Sequence, residues 1–469
     1  MTIKNGVVWT RAGGEPQKLA AITVLNDRVV FDIPESAHSA PPLSLIWPWA
    51  DIGTLTEYKR TANLPLPPFM MSHVPPPHRS SGVPNLQRRL LETIIAQFED
   101  APPPGFDTDW EMLMLGGRDG IGHMDFFRHD DEAKAWYAQL AATPTWHSGR
   151  SGLWHGIHHQ ILSALPENEQ DIELSTLVGP TPSVGGMIPK LLLAIPPLAP
   201  EESWDGSYVS SATLSEQAKA HHVVAKIETR NYPGLVALEA LCLEIHKEAG
   251  LLTPHHWTLE TEEGLRILAI ERFDRQTGRP LLLESAFSIL HLAQNTVSQT
   301  HGDLDMLGLA IRAAKLGISH HPSKDAEDAY ARLLLALLTG NGDLHWDNWS
   351  FLQCKGHVGL SPVYDPAPMR AYAQHSMLMV MPFAGLARNT VSKRMVPANI
   401  GSRLLQMAVR AFGIPEGKAR RLMSRMLAVT ADYPDRIQQL VAANLVPVDT
   451  SQNLISTQET VRRFIQQAL

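Results

Sequence analysis

Residues 325–365 read DAEDAYARLLLALLTGNGDLHWDNWSFLQCKGHVGLSPVYD. Apolar residues recur at helical spacing in the first part, which predicts a helix that Asp325 caps at its start and Gly340 at its end. The part SFLQCKGHVGLS predicts two strands joined by a turn at Lys355-Gly356. The polar segment GNGDLHWDN therefore lies between a predicted helix and a predicted hairpin.

This polar segment and the hairpin contain three oxygen-bearing side chains at spacings that suit phosphoryl transfer. Asp343 and Asn348 lie five residues apart, and the hairpin returns the chain to Asp365. The first Asp could deprotonate an attacking hydroxyl, while the Asn and the second Asp could supply oxygen ligands for Mg²⁺. A solvent-exposed loop with a capping Asp is the alternative, and Trp346 and Trp349 argue against it because such large side chains are seldom used in a merely solvated loop.

Two segments farther upstream could bind the phosphates of a nucleotide. HHVVAKIETR places Lys226 inside an apolar strand, as a kinase requires, although a single strand lysine is more often an edge-strand residue. PSVGGMIPKLLLAI contains Gly185-Gly186 before Lys190, and paired glycines let a backbone approach phosphate. LRILAIERFDR, residues 265–275, lies where a kinase places the hinge between its lobes.

The order of elements along the chain predicts an α+β fold with two lobes. Residues 1–35 alternate like short strands, and NLQRRLLETIIAQF (85–98) is a helix pattern. LMLGGRDGIGHMDF (113–126) predicts two strands with a glycine turn rather than a nucleotide loop, because its spacing differs from G-x-G-x-x-G. Residues 181–275 are predicted to be rich in strands with one helix, and residues 286–469 to be mainly helical.

Composition narrows the class of protein. The 469 residues are 44% hydrophobic and 19% charged, which is typical of a globular protein, and the net charge of −8 argues against a general affinity for nucleic acid or anionic membranes. The two cysteines do not form a disulfide or zinc pattern. No apolar stretch has the length of a signal sequence or a membrane span, so we expect a cytoplasmic protein without a membrane partner.

Taken together, the motifs resemble those of the HipA-type serine/threonine kinases, which are toxins of bacterial toxin–antitoxin pairs. The segments that carry the resemblance are GRDGIG (117–122), SVGGMIPK (183–190), VVAKI (223–227), ALEALCLEIHKEAGL (237–251), AIERFDR (269–275), GNGDLHWDN (340–348) and PVYD (362–365). The resemblance implies a protein-kinase-like fold. It has a β-rich N-terminal subdomain at residues 1–135, a kinase N-lobe at 136–275 with the Gly-rich loop and nucleotide-binding strand, and a helical C-lobe at 276–469 with the catalytic loop.

The resemblance also implies a role for individual residues in binding ATP and Mg²⁺. Asp343 would be the catalytic base, and Ser183 would be the serine that is autophosphorylated. The implied metal ligands are Asn348 and Asp365. The implied nucleotide-binding residues are Gly185, Gly186, Lys226, Glu271, Phe273 and His345.

Further expectations concern partners and substrate. The resemblance implies a protein substrate such as an aminoacyl-tRNA synthetase. It also implies a small helix-turn-helix antitoxin as partner, with DNA contacted only indirectly through that antitoxin.

Leu344 and Asp347 depart from the pattern D-G-H-x-K-N that is usual in the HipA type. GDLHWDN is closer to the G-D-L-H-x-x-N loop of aminoglycoside and choline kinases. Two alternatives therefore stay open, namely a small-molecule kinase of that type and a non-catalytic, kinase-like partner of a DNA-binding antitoxin.

Overall fold

The computed structural model describes residues 3–76, 86–149, 153–154, 156–158, 188–199, 202–211, 213–262, 264–294 and 302–469. The chain divides into two compact units. Unit 1 comprises residues 1–229 and 255–284, and unit 2 comprises residues 230–254 and 285–469. The finer division at residues 135 and 275 stays a prediction.

Unit 1 begins with a five-stranded antiparallel sheet in the order β4-β3-β2-β1-β5. Its strands are β1 (Lys4–Thr10), β2 (Gln17–Val24), β3 (Arg28–Asp32), β4 (Leu55–Lys59) and β5 (Asp125–Phe127). The helices in this part of the chain are α1 (Pro68–Met71), α2 (Leu86–Ile95), α3 (Phe106–Gly116) and α4 (Asp130–Ala138). The strands predicted in residues 1–35 and the helix predicted from residue 85 are thus confirmed.

The prediction of two strands over residues 113–126 is half wrong. Residues 113–116 close helix α3, and only Asp125–Phe127 forms a strand. The apolar run Met112–Met114 is fully buried. A short run that is buried all round has no periodicity to tell a helix from a strand, which is why the pattern misled.

A second sheet of unit 1 has six strands in the order β10-β11-β9-β7-β8-β6. The strands are β6 (His147–Ser148), β7 (Lys190–Ile195), β8 (Tyr208–Ser211), β9 (His221–Ile227), β10 (His256–Glu260) and β11 (Arg266–Glu271). One face packs into an apolar core that includes Leu191, Val223, Ala225 and Ile267. Three short strands follow, β12 (Arg275–Gln276), β13 (Arg279–Pro280) and β14 (Leu283–Ser285).

Unit 2 is mainly helical, as predicted. Its helices are α5 (Leu235–Glu248), α6 (Ala286–Gln294), α7 (Asp305–Arg312), α8 (Pro322–Thr339), α9 (Arg388–Val391), α10 (Ile400–Arg410), α11 (Glu416–Val429), α12 (Tyr433–Ala442) and α13 (Val448–Gln466). Helix α8 is buried along most of its length and packs against α7, α11 and α13. In the described ranges, no helix combines the length and the apolar character needed to cross a membrane.

Helix α8 leads into the hairpin of β15 (Ser350–Cys354) and β16 (His357–Leu360). Its predicted end at Gly340 is confirmed, and the Lys355-Gly356 turn has the two positive φ angles, +50° and +78°, of a tight hairpin. The predicted cap is wrong, because the helix begins at Pro322 and Asp325 lies inside its first turn. Proline is favoured at the first position of a helix, and the observed cap, His321, lies four residues before the predicted one.

Candidate active site

Two glycines fix the path of the chain between helix α8 and Asp343. Gly340 has φ of +91°, and a Cβ there would lie 2.5 Å from Leu454 Cδ1. A Cβ on Gly342 would lie 2.6 Å from the Met377 carbonyl oxygen and 2.9 Å from Arg370 Cγ. The segment therefore needs glycine at both positions. The half-buried Asp343 is the next residue, so its position is fixed by this tightly packed backbone.

The residues after Asp343 form a short 3₁₀ turn, Trp346–Asn348, that is capped from both ends. The Asp347 N–H donates to His345 Nδ1 over 3.2 Å, and the His345 N–H donates to Asn348 Oδ1 over 2.9 Å. This reciprocal capping fixes the orientation of the Asn348 side chain. Trp346 is 0% and Trp349 1% exposed, so both indoles anchor the loop in the core of unit 2.

Asp365 is brought to the same loop by hydrogen bonds rather than by strand pairing. The Asn341 side chain donates to the Asp365 carbonyl oxygen over 3.2 Å. The Tyr364 hydroxyl donates to the Asp347 carbonyl oxygen over 2.6 Å. Asp343, Asn348 and Asp365 therefore belong to one hydrogen-bonded part of unit 2.

A tyrosine–histidine pair lies within electrostatic range of Asp343. The Tyr232 hydroxyl and His375 Nε2 are 2.9 Å apart. Burial raises the pKa of Tyr232, and the charge of Asp343 acts in the same direction. Burial lowers the pKa of His375, and the charge of Asp343 opposes that shift. The surroundings of Asp343 thus include two groups that respond to its charge.

An arginine is buried behind the loop. Arg332 of helix α8 is 6% exposed, and its guanidinium donates to the Ser361 carbonyl oxygen. It lines a small cavity together with His246, Asn348 and Tyr364. Burial lowers the pKa of Arg332 to about 10, so it stays a cation at neutral pH. This charge lies on the inner side of the loop.

In unit 1, Lys226 lies on the sheet face opposite the apolar core. Its direct cross-strand neighbours are Lys190 on β7 and Leu268 on β11. Directly opposed residues share a face, so the two lysines stand side by side, and they are only 5% (Lys190) and 4% (Lys226) exposed. Two neighbouring ammonium groups at one buried position suit a ligand with several negative charges.

The same sheet face is apolar beyond the lysines. Leu192 is paired with Val224, and Val224 with Ile270. Along this face, the two lysines are followed by aliphatic side chains. A nucleotide has the matching order, with charged phosphates at one end and an apolar base at the other.

Glu271 is the last residue of strand β11, and its cross-strand partner Val223 belongs to the apolar core, so Glu271 lies on the face opposite Lys226. Phe273 follows two residues after the strand. The Glu271 N–H donates to the His255 carbonyl oxygen over 2.8 Å, and the Glu271 carboxylate bonds His221 Nδ1 over 2.8 Å. That carboxylate raises the pKa of His221. Glu271 could give its N–H to an adenine ring only by losing the bond to His255.

The predicted residues Ser183, Gly185 and Gly186 lie outside the described residues.

GRDGIG and AIERFDR meet inside unit 1 in a buried ion-pair network. Asp119 pairs with Arg11 and Arg275, both over 3.0 Å, while Arg272 pairs with Asp274 over 2.9 Å. Burial works to raise the pKa of Asp274, but Arg272 and Arg275 outweigh it and hold that pKa well below the usual range. The GRDGIG segment is therefore held to AIERFDR by buried ion pairs, and the exclusion of a nucleotide loop here stays a prediction.

The oxygen donors of this site suit Mg²⁺ that is bound together with a nucleotide better than they suit a metal held by protein ligands alone. Within the described ranges, no three His, Cys, Asp or Glu side chains are gathered as metal ligands. Asn348 and Asp365 are oxygen donors, and the amide oxygen of Asn348 has a second lone pair beyond the one used by His345. Mg²⁺ usually keeps waters and substrate phosphates as its other ligands, so two protein donors suffice.

Sequence reasoning passed over several residues of the site. In the sequence, Lys190 stands out only as the end of a glycine-containing segment. Its position beside Lys226 follows from the pairing of strands β7 and β9. The residue types of Asn341, Arg332 and Tyr364 do not by themselves indicate a functional role. Only the position of Tyr364 beside Asp365 could have drawn attention to it.

Comparisons with known proteins agree with this arrangement. The family model of the HipA-like C-terminal domain matches residues 182–433. A Haemophilus influenzae (strain Rd) protein with a provisional kinase name is 26% identical over 210 residues. The match covers 43% of this chain and 57% of that protein, so the chain spans little more than half of the curated relative.

Among solved structures, one similar chain comes from the complex of the Shewanella oneidensis MR-1 toxin–antitoxin system HipA and HipB with operator DNA. The TM-score is 0.59 at 16% identity, over 99% of this chain and 97% of that one. The kinase CtkA of Helicobacter pylori gives a TM-score of 0.37 at 12% identity, over 58% of this chain and 95% of that one. The likeness to the Shewanella chain confirms the predicted α+β, kinase-like fold.

Proposed function

Since the chain belongs to the family defined by the HipA-like C-terminal domain, as its sequence motifs indicated, we propose that it is an ATP- and Mg²⁺-dependent serine/threonine protein kinase of HipA type. The observation that carries this proposal is the joining of Asp343, Asn348 and Asp365 into one hydrogen-bonded part of unit 2. These are the base and the two metal ligands of a phosphoryl-transfer site.

In the proposed reaction, Asp343 takes the proton of an acceptor hydroxyl as that oxygen attacks the γ-phosphorus of ATP. The bond from the γ-phosphorus to the bridging oxygen breaks, and ADP leaves with the bond's electrons. Mg²⁺, when bound, would neutralise charge on the phosphate oxygens. Asn348 and Asp365 would hold that ion, and His345 fixes the backbone of the loop through its bonds with Asp347 and Asn348. Lys226 is the phosphate-binding residue that the family resemblance implies.

The finer features of the proposal follow the family resemblance. Ser183 is the proposed site of autophosphorylation, and a component of translation such as an aminoacyl-tRNA synthetase is the proposed substrate. The Shewanella complex contains HipB and operator DNA, which supports a small DNA-binding antitoxin as partner here. Growth inhibition in the cytoplasm is the proposed role.

The first test is transfer from radiolabelled ATP in the presence of Mg²⁺. The wild-type protein should label itself, with label at Ser183, and should label a protein in a cell lysate. Asp343→Asn should lower both rates by about 100-fold or more, because a positioned base contributes 10²–10⁴-fold. Asp432→Asn is the matched control, since this exposed carboxylate of unit 2 carries the same charge and makes no side-chain cap bond. It should label like the wild type.

The same assay decides among the alternatives. Labelling of an aminoglycoside or choline, but of no protein, would replace the protein-kinase proposal with a small-molecule kinase. Tight ATP binding without any transfer would indicate a non-catalytic partner protein. If Asp343→Asn transferred phosphate at the wild-type rate, Asp343 would not be the base.

A further inference from the structure

The Tyr364 hydroxyl takes part in two short hydrogen bonds between the chain segments that contain the proposed metal ligands. It lies 2.6 Å from the Asp347 carbonyl oxygen and 2.6 Å from Ser350 Oγ. A carbonyl oxygen can only accept, so the single proton of Tyr364 goes to Asp347, and Ser350 must donate to the Tyr364 oxygen.

The two ends of this bridge each adjoin one proposed metal ligand. Asp347 directly precedes Asn348, and Tyr364 directly precedes Asp365. Ser350 is the first residue of strand β15, so the bridge also ties the loop to the start of the hairpin. A single hydroxyl therefore connects the chain segments of both ligands.

Strand pairing alone cannot set the distance between these ligands. The pairing of β15 with β16 runs from Phe351 opposite Leu360 to Cys354 opposite His357, and Asp365 lies beyond it. After the strand, the backbone N–H of Ser361 donates to Ser350 and that of Val363 donates to Leu252. These two bonds and the bond from Asn341 to the Asp365 carbonyl all end outside the turn Trp346–Asn348, whereas the Tyr364 bridge ends on Asp347 within that turn.

We propose that Tyr364 is a positioning residue whose hydroxyl sets the separation of Asn348 and Asp365 and thereby the affinity of the site for its divalent cation. This inference rests on the proposed function. Groups that orient metal ligands usually contribute 10–100-fold to metal affinity when they are removed one at a time. Tyr364 touches neither ATP nor the acceptor in this proposal, so its effect should appear in the metal dependence and not in the chemical step.

The test compares Tyr364→Phe, Ser350→Ala and the double variant with the wild type. Tyr330→Phe is the matched control, because Tyr330 is also a buried tyrosine of unit 2 that donates to a backbone carbonyl, that of Leu404 over 3.2 Å. The readouts are the Mg²⁺ concentration that gives half-maximal ATP binding and the value of kcat at saturating Mg²⁺. Both are measured on the full chain.

Tyr364→Phe should raise the half-maximal Mg²⁺ concentration roughly 10-fold while kcat at saturating Mg²⁺ stays near the wild-type value. Ser350→Ala should have a smaller effect, since Tyr364 still bonds Asp347. The double variant should resemble Tyr364→Phe, because both changes act on one bridge. Tyr330→Phe should keep the wild-type Mg²⁺ dependence.

The outcomes separate this inference from the function it rests on. If the wild type bound ATP without any dependence on Mg²⁺, or did not bind it, the proposed function would fail. If the wild type depended on Mg²⁺ and Tyr364→Phe had the same half-maximal concentration, the function would stand and the positioning role would be refuted. A loss of kcat at saturating Mg²⁺ with unchanged Mg²⁺ dependence would also refute it.

Discussion

Asp365 has φ of +49°, in the left-handed region that residues other than glycine seldom adopt. Asparagine and aspartate tolerate this conformation better than other residues, because their short polar side chains bond locally. The position therefore restricts the residue type twice, once through the backbone and once through the carboxylate that the proposed reaction uses. These two requirements can be separated by substitution.

Asp365→Asn should keep the stability of the fold and lose activity, whereas Asp365→Ala should lose activity and also lower the stability. Asparagine suits the left-handed backbone but removes the charge that holds Mg²⁺, so the rate of phosphate transfer should fall about 100-fold or more. Alanine adds a backbone cost of about 1–2 kcal/mol. Transfer rates and thermal unfolding midpoints of the two variants measure this. Equal unfolding midpoints for Asn and Ala would contradict the backbone part of the argument.

At the scale of elements, the connection between helix α8 and the loop that contains Asp343 depends on close backbone packing. Gly342 approaches the Met377 carbonyl, which is backbone and cannot rotate away as a side chain can. The Gly342 carbonyl in turn accepts from the Val380 N–H over 2.7 Å. A methyl group at residue 342 would have to push two chain segments apart.

Gly342→Ala should lower the free energy of unfolding by about 1–3 kcal/mol, the usual cost of overpacking. Gly417→Ala is the control, because this glycine lies in helix α11 and only a flexible arginine side chain, at 3.8 Å, lies near its Cβ position. Alanine is favoured there by up to about 1 kcal/mol. Denaturant unfolding followed by circular dichroism should shift in opposite directions for the two variants. A stabilising effect of Gly342→Ala would show that the contact is not tight.

The contrast between these elements shows what sequence can predict. The hairpin turn at Lys355-Gly356 and the end of α8 at Gly340 are local, since one or two residues determine the backbone angles. The proposed roles of Asp343 and Asn348 rest on their spacing in the sequence, and they stay predictions. The start of α8 was mispredicted because the sequence offers more than one possible cap. The helix over residues 113–116 was missed because burial on all sides leaves no periodicity. The pairing of Lys190 with Lys226 depends on strand order, which no local pattern contains.

At the scale of a whole unit, buried histidines should make unit 1 sensitive to acid. Burial lowers the pKa of His73 to about 3 and the pKa values of His123 and His222 to about 4. In the unfolded chain these groups have pKa values near 6.5. Below that pH the unfolded chain binds protons that the folded chain does not, so stability is complete above about pH 6.5 and is lost as the pH falls towards 4.

The free energy of unfolding should therefore fall between pH 6.5 and pH 4, by up to about 1.4 kcal/mol per pH unit for each of these histidines. His123→Gln should reduce this slope, because glutamine does not titrate. Unfolding by urea at a series of pH values measures it. Each protein serves as its own reference at pH 8, where all three histidines are neutral in both states. A slope that His123→Gln leaves unchanged would exclude this histidine as a source.

The discontinuous path of the chain through its two units has a consequence for protein synthesis. Helix α13 supplies Leu454 and Gln458 next to Gly340, and Asn453 donates to the Ala371 carbonyl over 2.9 Å. A ribosome releases residues 340–365 long before this helix. A nascent chain therefore carries every proposed catalytic residue while it still lacks the support behind the loop. Under the proposed function, translation itself would delay the onset of phosphate transfer until residues 448–466 have left the ribosome.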